Sequence, residues 1–278
     1  MAKTIAALET VLREHKLDST LSSTPGRAWA PPGVTPTGIA PLDACLRGGL
    51  PRGQVCEIAG PPSSGRTTLL LQLLADVTGR GEIAALVDTG DRLDVAAAAA
   101  GGIDLTRLLW VRGEATTCPG EPATVTRVVR PPTGSERPHT ADRALERALK
   151  ALHLVLQAGG FTVVAIDLAD VPLAALKRLP FTTWLRLQRA VEGRDTTCVL
   201  VVPEPLARSA GGLTVALAAR AAWTGEARGR RLARLTVTAR VSSPRQYAGG
   251  EAAFGARVVD EAADTPAGPL PVVAVRPR

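Results

Sequence analysis

The period of the apolar positions changes several times along this chain. Over Thr4–Leu17, Ile5, Leu8, Val11 and Leu12 fall on one stripe, which predicts a short amphipathic helix. Residues Ser19–Thr37 are rich in Ser, Pro and Gly and read as a linker. Gly48–Gly53 predicts a tight loop, and Gln54–Ala59 (QVCEIA) a short strand. A glycine loop at Gly60–Gly65 leads into a Leu-dense helix, Thr67–Val77, closed by Gly79. Strands follow at Glu82–Asp88 and Arg107–Arg112, with a helix at Asp94–Ala100 between them. Thr140 is the expected cap of a helix with Leu145, Ala148, Leu149, Leu152, Val155 and Leu156 on one face, stopped by Gly159-Gly160. Thr162–Leu168 and Thr197–Val202 are continuous apolar strands flanking a helix at Phe181–Val191. After Gly211-Gly212 the residues predict a short helix, then Ala218–Thr224. A basic turn, Glu226–Arg231, leads into the alternating stretch Leu232–Val241, an antiparallel hairpin. The Ala-, Gly- and Pro-rich stretch after Ser243 reads as a loosely held tail.

Strands alternating with helices predict an α/β fold with a central, mostly parallel sheet flanked by helices and an antiparallel edge hairpin. The expected organisation is a docking helix and linker over 1–37, a core over 38–245 with a flexible insertion at 113–139, and a tail over 246–278. The insertion carries Arg127, Arg130 and Arg137 among prolines. It is either a segment that orders on a partner or a tolerated surface loop.

Composition narrows the function. Aromatic residues make up 3% of the chain, so the core is aliphatic and base-stacking platforms are disfavoured. The net charge is +7, and all basic residues except Lys3, Lys16, Lys150 and Lys177 are arginine. That excess suits a polyanionic or acidic partner, or reflects nothing more than a GC-rich genome. The four cysteines show no C-x2-C pair and there are three histidines, which argues against zinc. Free thiols inside apolar strands suit a reducing compartment. No run approaches a membrane span and the first residues lack a signal-peptide pattern, so the expectation is a cytoplasmic protein with no membrane partner.

The chemistry lies at Gly60-Pro61-Pro62-Ser63-Ser64-Gly65-Arg66-Thr67, which fits the phosphate-loop template G-x4-G-K-[ST] at all positions but one. It sits after a strand and before a helix, where backbone N–H groups and the helix dipole converge on an anion. With Thr68 these residues are the candidate nucleotide contacts, joined by Asp167 and Glu204 at the ends of two later strands. Thr67 and Asp167 are the candidate Mg2+ ligands. Arg66 replaces the template lysine: the charge is kept, but a planar fork replaces a compact ammonium. The loop is either a working phosphate cradle or an empty relic of its fold.

The run GGLPRG, a strand, and then GPPSSGRTTLLLQLLA resembles the nucleotide-binding segment of RecA recombinases, and the preceding TGIAPLDACL resembles that family's lead-in. The similarity extends more weakly over Gly38–Arg245. Within the superfamily, Ile103–Arg112 (IDLTRLLWVR) and the ALERAL helix resemble ImuA, an accessory protein of SOS-induced mutagenesis. The resemblance implies ATP and Mg2+ as ligands. It implies RecA, the inactive Y-family polymerase homologue ImuB and, indirectly, an error-prone C-family DNA polymerase as partners, near the nucleoid. Ile5, Leu8, Val11 and Leu12 would form the docking stripe.

Departures from the family pattern bear on catalysis. Where RecA carries a water-activating Glu after the second strand, this chain has Gly90, with Asp91 one residue further as a substitute. Where RecA has an Asn-Gln pair that senses the γ-phosphate, this chain has Pro203-Glu204. Only Leu206–Gly212 spans the place of a long DNA-binding loop. The expected function is a non-catalytic adaptor in translesion synthesis with little or no ATP hydrolysis. The rivals are a DNA-dependent ATPase of the recombinase class and an SOS cell-division inhibitor. Arg220, Arg228, Arg230, Arg231, Arg234, Arg240 and Arg245 surround the expected hairpin. They form either a phosphate-backbone contact for single- or double-stranded DNA or a solvated tip.

Overall fold

Buried apolar runs of five or six residues set the architecture of the computed structural model, which describes residues 33–113, 137–207, 212–225, 230–242 and 250–257. The strands are β1 (Val34–Thr35), β2 (Leu50–Pro51), β3 (Val55–Ala59), β4 (Ala84–Asp88), β5 (Leu108–Arg112), β6 (Val163–Asp167), β7 (Thr197–Val202), β8 (Leu213–Thr224), β9 (Arg231–Ser242) and β10 (Gly250–Arg257). The helices are α1 (Ala40–Cys45), α2 (Arg66–Gly79), α3 (Val95–Ala100), α4 (Arg137–Ala158), α5 (Leu173–Arg178) and α6 (Phe181–Val191). Eight strands form one sheet in the order β10-β9-β8-β3-β7-β6-β4-β5, while β1 and β2 pair separately. The pairs from β8 to β5 are parallel; β9 and β10 add antiparallel at one edge. The expected α/β fold, with a mostly parallel sheet and an antiparallel edge, is the one observed.

Alternation along the central strands feeds two cores. Cys56, Ile58, Leu86, Ala165 and Val201 face Leu69, Leu70, Leu73 and Leu74 of α2. Val55, Val87, Ile166 and Leu200 face Leu152 and Leu156 of α4 and Trp184 and Leu187 of α6. Both faces are covered at the centre, which is why these strands read as unbroken apolar runs.

The structure corrects several expectations. Leu213–Ala218 is strand, not helix: β8 pairs with β3 from Leu213↔Cys56 to Ala216↔Ala59, and a sheet neighbour outweighs the helical preference of alanine. The α4 helix starts at Arg137, so Thr140 lies inside it and does not cap it. Two residues of the expected linker, Val34 and Thr35, form β1; Arg52 binds Thr35 Oγ1, Asp195 and Glu82 and ties that hairpin to the sheet. In the expected tail, Gly250–Arg257 pairs with β9 in full register, with Ala252 and Phe254 buried. The helix expected at Thr4–Leu17, with Ile5, Leu8, Val11 and Leu12, and the bulk of the 113–139 insertion lie outside the described residues. Among the described residues, no helix is long and apolar enough to cross a membrane.

Candidate nucleotide site

The loop Gly60–Gly65 leaves the C-terminal end of β3, between β7 and β8, and runs into the first turn of α2. In open α/β sheets, ligands gather at this edge. Gly60 N–H donates to the Val202 carbonyl (3.3 Å) and Ser64 N–H to the Pro61 carbonyl (3.2 Å), which close the turn. Ser63 and Gly65 adopt positive φ, 61° and 94°. A Cβ at Gly65 would sit 2.9 Å from Val237 Cγ2 on β9, and one at Gly60 2.7 Å from the Leu217 carbonyl of β8. Both glycines are therefore required by close approach, and at Gly65 also by conformation. Pro61, Pro62, Ser63 and Thr67 are exposed, Thr68 is half-buried, and Ser64 is buried with no hydrogen-bond partner at its Oγ.

Arg66 is 7% exposed and its Nη1 has no hydrogen-bond partner. Burial lowers its pKa, while Asp167 and Asp170 act in the opposite sense. Asp167 ends β6 and its carboxyl is pushed up to about 6. Burial is the main cause; the Ala169 N–H, which donates to Oδ1 at 2.9 Å, and Arg66 oppose it, and Asp88 and Asp170 add to it. Asp88 stands opposite Asp167 in the β4–β6 register, and its Oδ2 accepts from Leu93 N–H (2.8 Å) and Trp110 Nε1 (3.2 Å). The result is a concave turn of backbone donors, one buried arginine and a group of carboxylates.

These residues fit a phosphate and a hard cation. The helix N-terminus and the unsatisfied Arg66 Nη1 suit phosphate oxygens. The Thr67 hydroxyl and the Asp167 carboxylate are the oxygen donors that Mg2+ accepts. Pro62 removes one N–H that another residue would offer the ligand.

The remaining candidates point elsewhere. Glu204 reaches Lys177 of α5, with Oε1 2.7 Å from Nζ. Asp91, at φ 53°, makes a two-pronged contact with Arg112, at 2.7 Å for each bond, and Arg112 lies 4.6 Å over the Trp110 ring. A cavity of about 330 Å³ between the ends of β4 and β5 and α4 is lined by Asp88, Thr89, Arg112, Gly113 and Arg147 with Val and Ala, and by no residue of Gly60–Thr67. Of the hairpin arginines, Arg220, Arg234 and Arg240 are exposed on β8 and β9, Arg230 and Arg231 lie at the hairpin end, and Arg228 and Arg245 fall outside the described residues.

Sequence reasoning missed Asp88 and Asp170. The signal for Asp88 was the one that found Asp167, an aspartate ending an apolar strand. It also missed Glu57, 3% exposed on β3, whose carboxylate accepts from Leu206 N–H, Ala207 N–H and the Thr214 hydroxyl at 2.8–3.0 Å. Glu57 thereby fixes where the chain leaves β7.

Comparison with known proteins follows the same segment. Residues 27–118 match the model of the RecA N-terminal domain. Protein RecA of Prochlorococcus marinus (strain MIT 9303) is 50% identical over 74 residues, covering 27% of this chain and 20% of the relative. Protein RecA of Arthrospira platensis is 52% identical over 73 residues, covering 26% of this chain and 20% of the relative. The chain thus spans about a fifth of the length of the curated relatives it matches. The matched segment contains the phosphate loop, so over this segment the chain is similar to the RecA N-terminal domain, and its mostly parallel sheet is consistent with a RecA-like core.

Proposed function

We propose that this chain is a nucleotide-binding, RecA-like adaptor that does not turn over ATP as a motor does. The observation that carries the reading is the buried Arg66, with an unpartnered Nη1, set between the phosphate loop and Asp167. Arg66, Thr67 and the loop N–H groups would hold the phosphates of ATP, and Thr67 with Asp167 would hold Mg2+. A Mg2+ held there would supply positive charge to offset that of the phosphates.

Hydrolysis needs a further group that orients water. Gly90 has no side chain for this, and Asp91 is occupied by Arg112. Loss of such a general base lowers a rate by about 10²–10⁴. Glu204 is ion-paired with Lys177, which would offset its repulsion of a terminal phosphate.

The kinship with RecA supports a place in DNA repair. In the finer reading, the chain works beside RecA and ImuB in SOS-induced translesion synthesis in the cytoplasm, at the nucleoid. There it modulates the RecA filament or brings an error-prone C-family polymerase to it. The docking stripe Ile5, Leu8, Val11 and Leu12 is the element assigned to that contact.

Calorimetry with ATP and Mg2+, together with phosphate release with and without single-stranded DNA, tests the proposal. Saturable binding without DNA-stimulated release is expected. Turnover that vanishes in Asp167→Ala overturns the adaptor reading in favour of a recombinase-class ATPase. Capture of a division protein in preference to RecA or ImuB overturns the assigned partners.

A further inference from the structure

The antiparallel edge of the sheet buries one face and leaves the other bare. Leu217 of β8, Val237 of β9 and Phe254 of β10 point into the core beside α2. The alternate positions point away from it. Arg220, Arg234 and Arg240 are exposed there, and Ala218, Ala222 and Thr236 between them are exposed as well. Helices α4 and α6 cover the opposite side of the central strands and leave these positions open.

Register fixes the spacing of the three cations. Arg220 stands opposite Thr236, and Ala222 opposite Arg234. Arg234 and Arg220 are therefore offset by two residues and Arg220 and Arg240 by four. At about 3.3 Å per residue these steps are ~7 Å and ~13 Å, a track ~20 Å long. Alanine and threonine between the arginines keep the floor low, so a chain laid along it meets no bulky side chain. Trp223 is exposed and follows Ala222 at the register irregularity that interrupts the β8–β9 ladder beyond the track. Among the described residues of β8, β9 and β10, Glu251 is the one acid, across from Arg240 in the β9–β10 register.

We propose that this face is a binding surface for the phosphate backbone of a nucleic acid, contacted by Arg234, Arg220 and Arg240. A line of cations over a flat floor matches a line of phosphates by charge. Among the described residues no aromatic lies between Ala216 and Ala222 or between Arg234 and Arg240, so the track offers no platform for stacked bases and binding is blind to sequence and governed by salt. The surface is distinct from the phosphate loop and works without a bound nucleotide. Its failure and that of the proposed nucleotide site are separately visible.

The test is fluorescence anisotropy on the full chain, with labelled oligothymidine and a duplex of matched length, in the absence of ATP and across a salt series. For R220A/R234A/R240A the slope of log K against log salt should flatten by ~2.7 on duplex and ~2 on single strand, three contacts at ~0.9 and ~0.7 each. Affinity at low salt should fall at least ~10-fold, since each contact is a charge-assisted bond. R143A/R186A/R189A removes the same charge from exposed helix positions and should leave both readouts near wild type. Glu251→Gln should tighten binding. If the triple variant does not fold, Arg220→Gln alone should flatten the duplex slope by ~0.9. No binding by the wild type, an unchanged slope in the sheet variant, or an equal loss in the helix control each overturn the proposal.

Discussion

Asp167→Asn separates a carboxylate kept for a ligand from one kept for the fold. In the folded chain the Asp167 carboxyl is pushed up to about 6, mostly by burial, with Asp88 and Asp170 adding to the effect. In the unfolded chain it titrates near the ordinary value of about 3.9. A raised carboxyl contributes its full stability below pH ~4, where it is protonated in both states. That contribution is lost as the pH rises through about 6, where the folded state must accept a buried charge. A change from about 3.9 to about 6 amounts to ~3 kcal/mol at neutral pH, and the attraction of Arg66 is already inside that figure. Asn resembles the protonated acid and keeps an oxygen for the Ala169 N–H. D167N should therefore be more stable than wild type by ~0.5 kcal/mol at pH 4, ~1.5 at pH 5 and ~3 at pH 8. Urea unfolding of both proteins at those three pH values reads the difference directly, because every other titrating group is shared. The same variant should lose the Mg2+-dependent part of its ATP affinity. A destabilised D167N, or a gain that does not grow with pH, would refute the claim that this acid is held against the preference of the fold.

Other substitutions probe the remaining parts. Glu57→Ala removes the acceptor for two backbone N–H groups and a hydroxyl in a buried setting, and should cost about 3–5 kcal/mol in urea unfolding. Gly65→Ala places a Cβ against Val237 at a φ of 94°; loss of measurable ATP binding in calorimetry is expected, with a drop in stability of about 2 kcal/mol. Arg66→Lys restores the compact ammonium of the phosphate-loop template; phosphate release should stay at background, since Gly90 and the Asp91–Arg112 pair are untouched. Asp91→Ala should leave that background unchanged, whereas a fall on removing it would identify Asp91 as the base.

How much the sequence disclosed depended on the range of the signal. The central strands and α6 were legible because five to eleven residues repeat one pattern, and the phosphate loop because its spacing is local. Helix α1 was not: six residues, APLDAC, with one buried side chain, carry no period. Strand β8 alternated at Leu213, Val215 and Leu217, yet its alanines favour helix, and only pairing with β3 decides between the two. Strand β10 offers two apolar positions, Ala252 and Phe254, in a stretch of Gly, Ala and Glu. Side-chain partnerships across long separations were out of reach altogether. Asp91 and Arg112 stand 21 residues apart, and Asp91 could be named as a substitute base only because its partner was invisible.

That partnership bears on whether the phosphate loop is a relic. A site released from function should relax: buried charges find partners or are replaced by apolar residues, since an unpaired buried charge is among the more costly features a fold can keep. Around the positions where family resemblance places the hydrolytic groups, relaxation has occurred. Asp91 holds Arg112, and Glu204 holds Lys177, in ordinary surface ion pairs. Around the phosphate loop it has not. Arg66 stays buried with an orphaned nitrogen, Ser64 Oγ has no partner, and Asp167 is held well above its normal titration range. Among the described residues, two of the three buried polar atoms without a hydrogen-bond partner, Ser64 Oγ and Arg66 Nη1, belong to the phosphate loop, a clustering that the proposed ligand would explain. The division between the two regions is therefore the physical ground on which nucleotide binding is proposed separately from nucleotide hydrolysis.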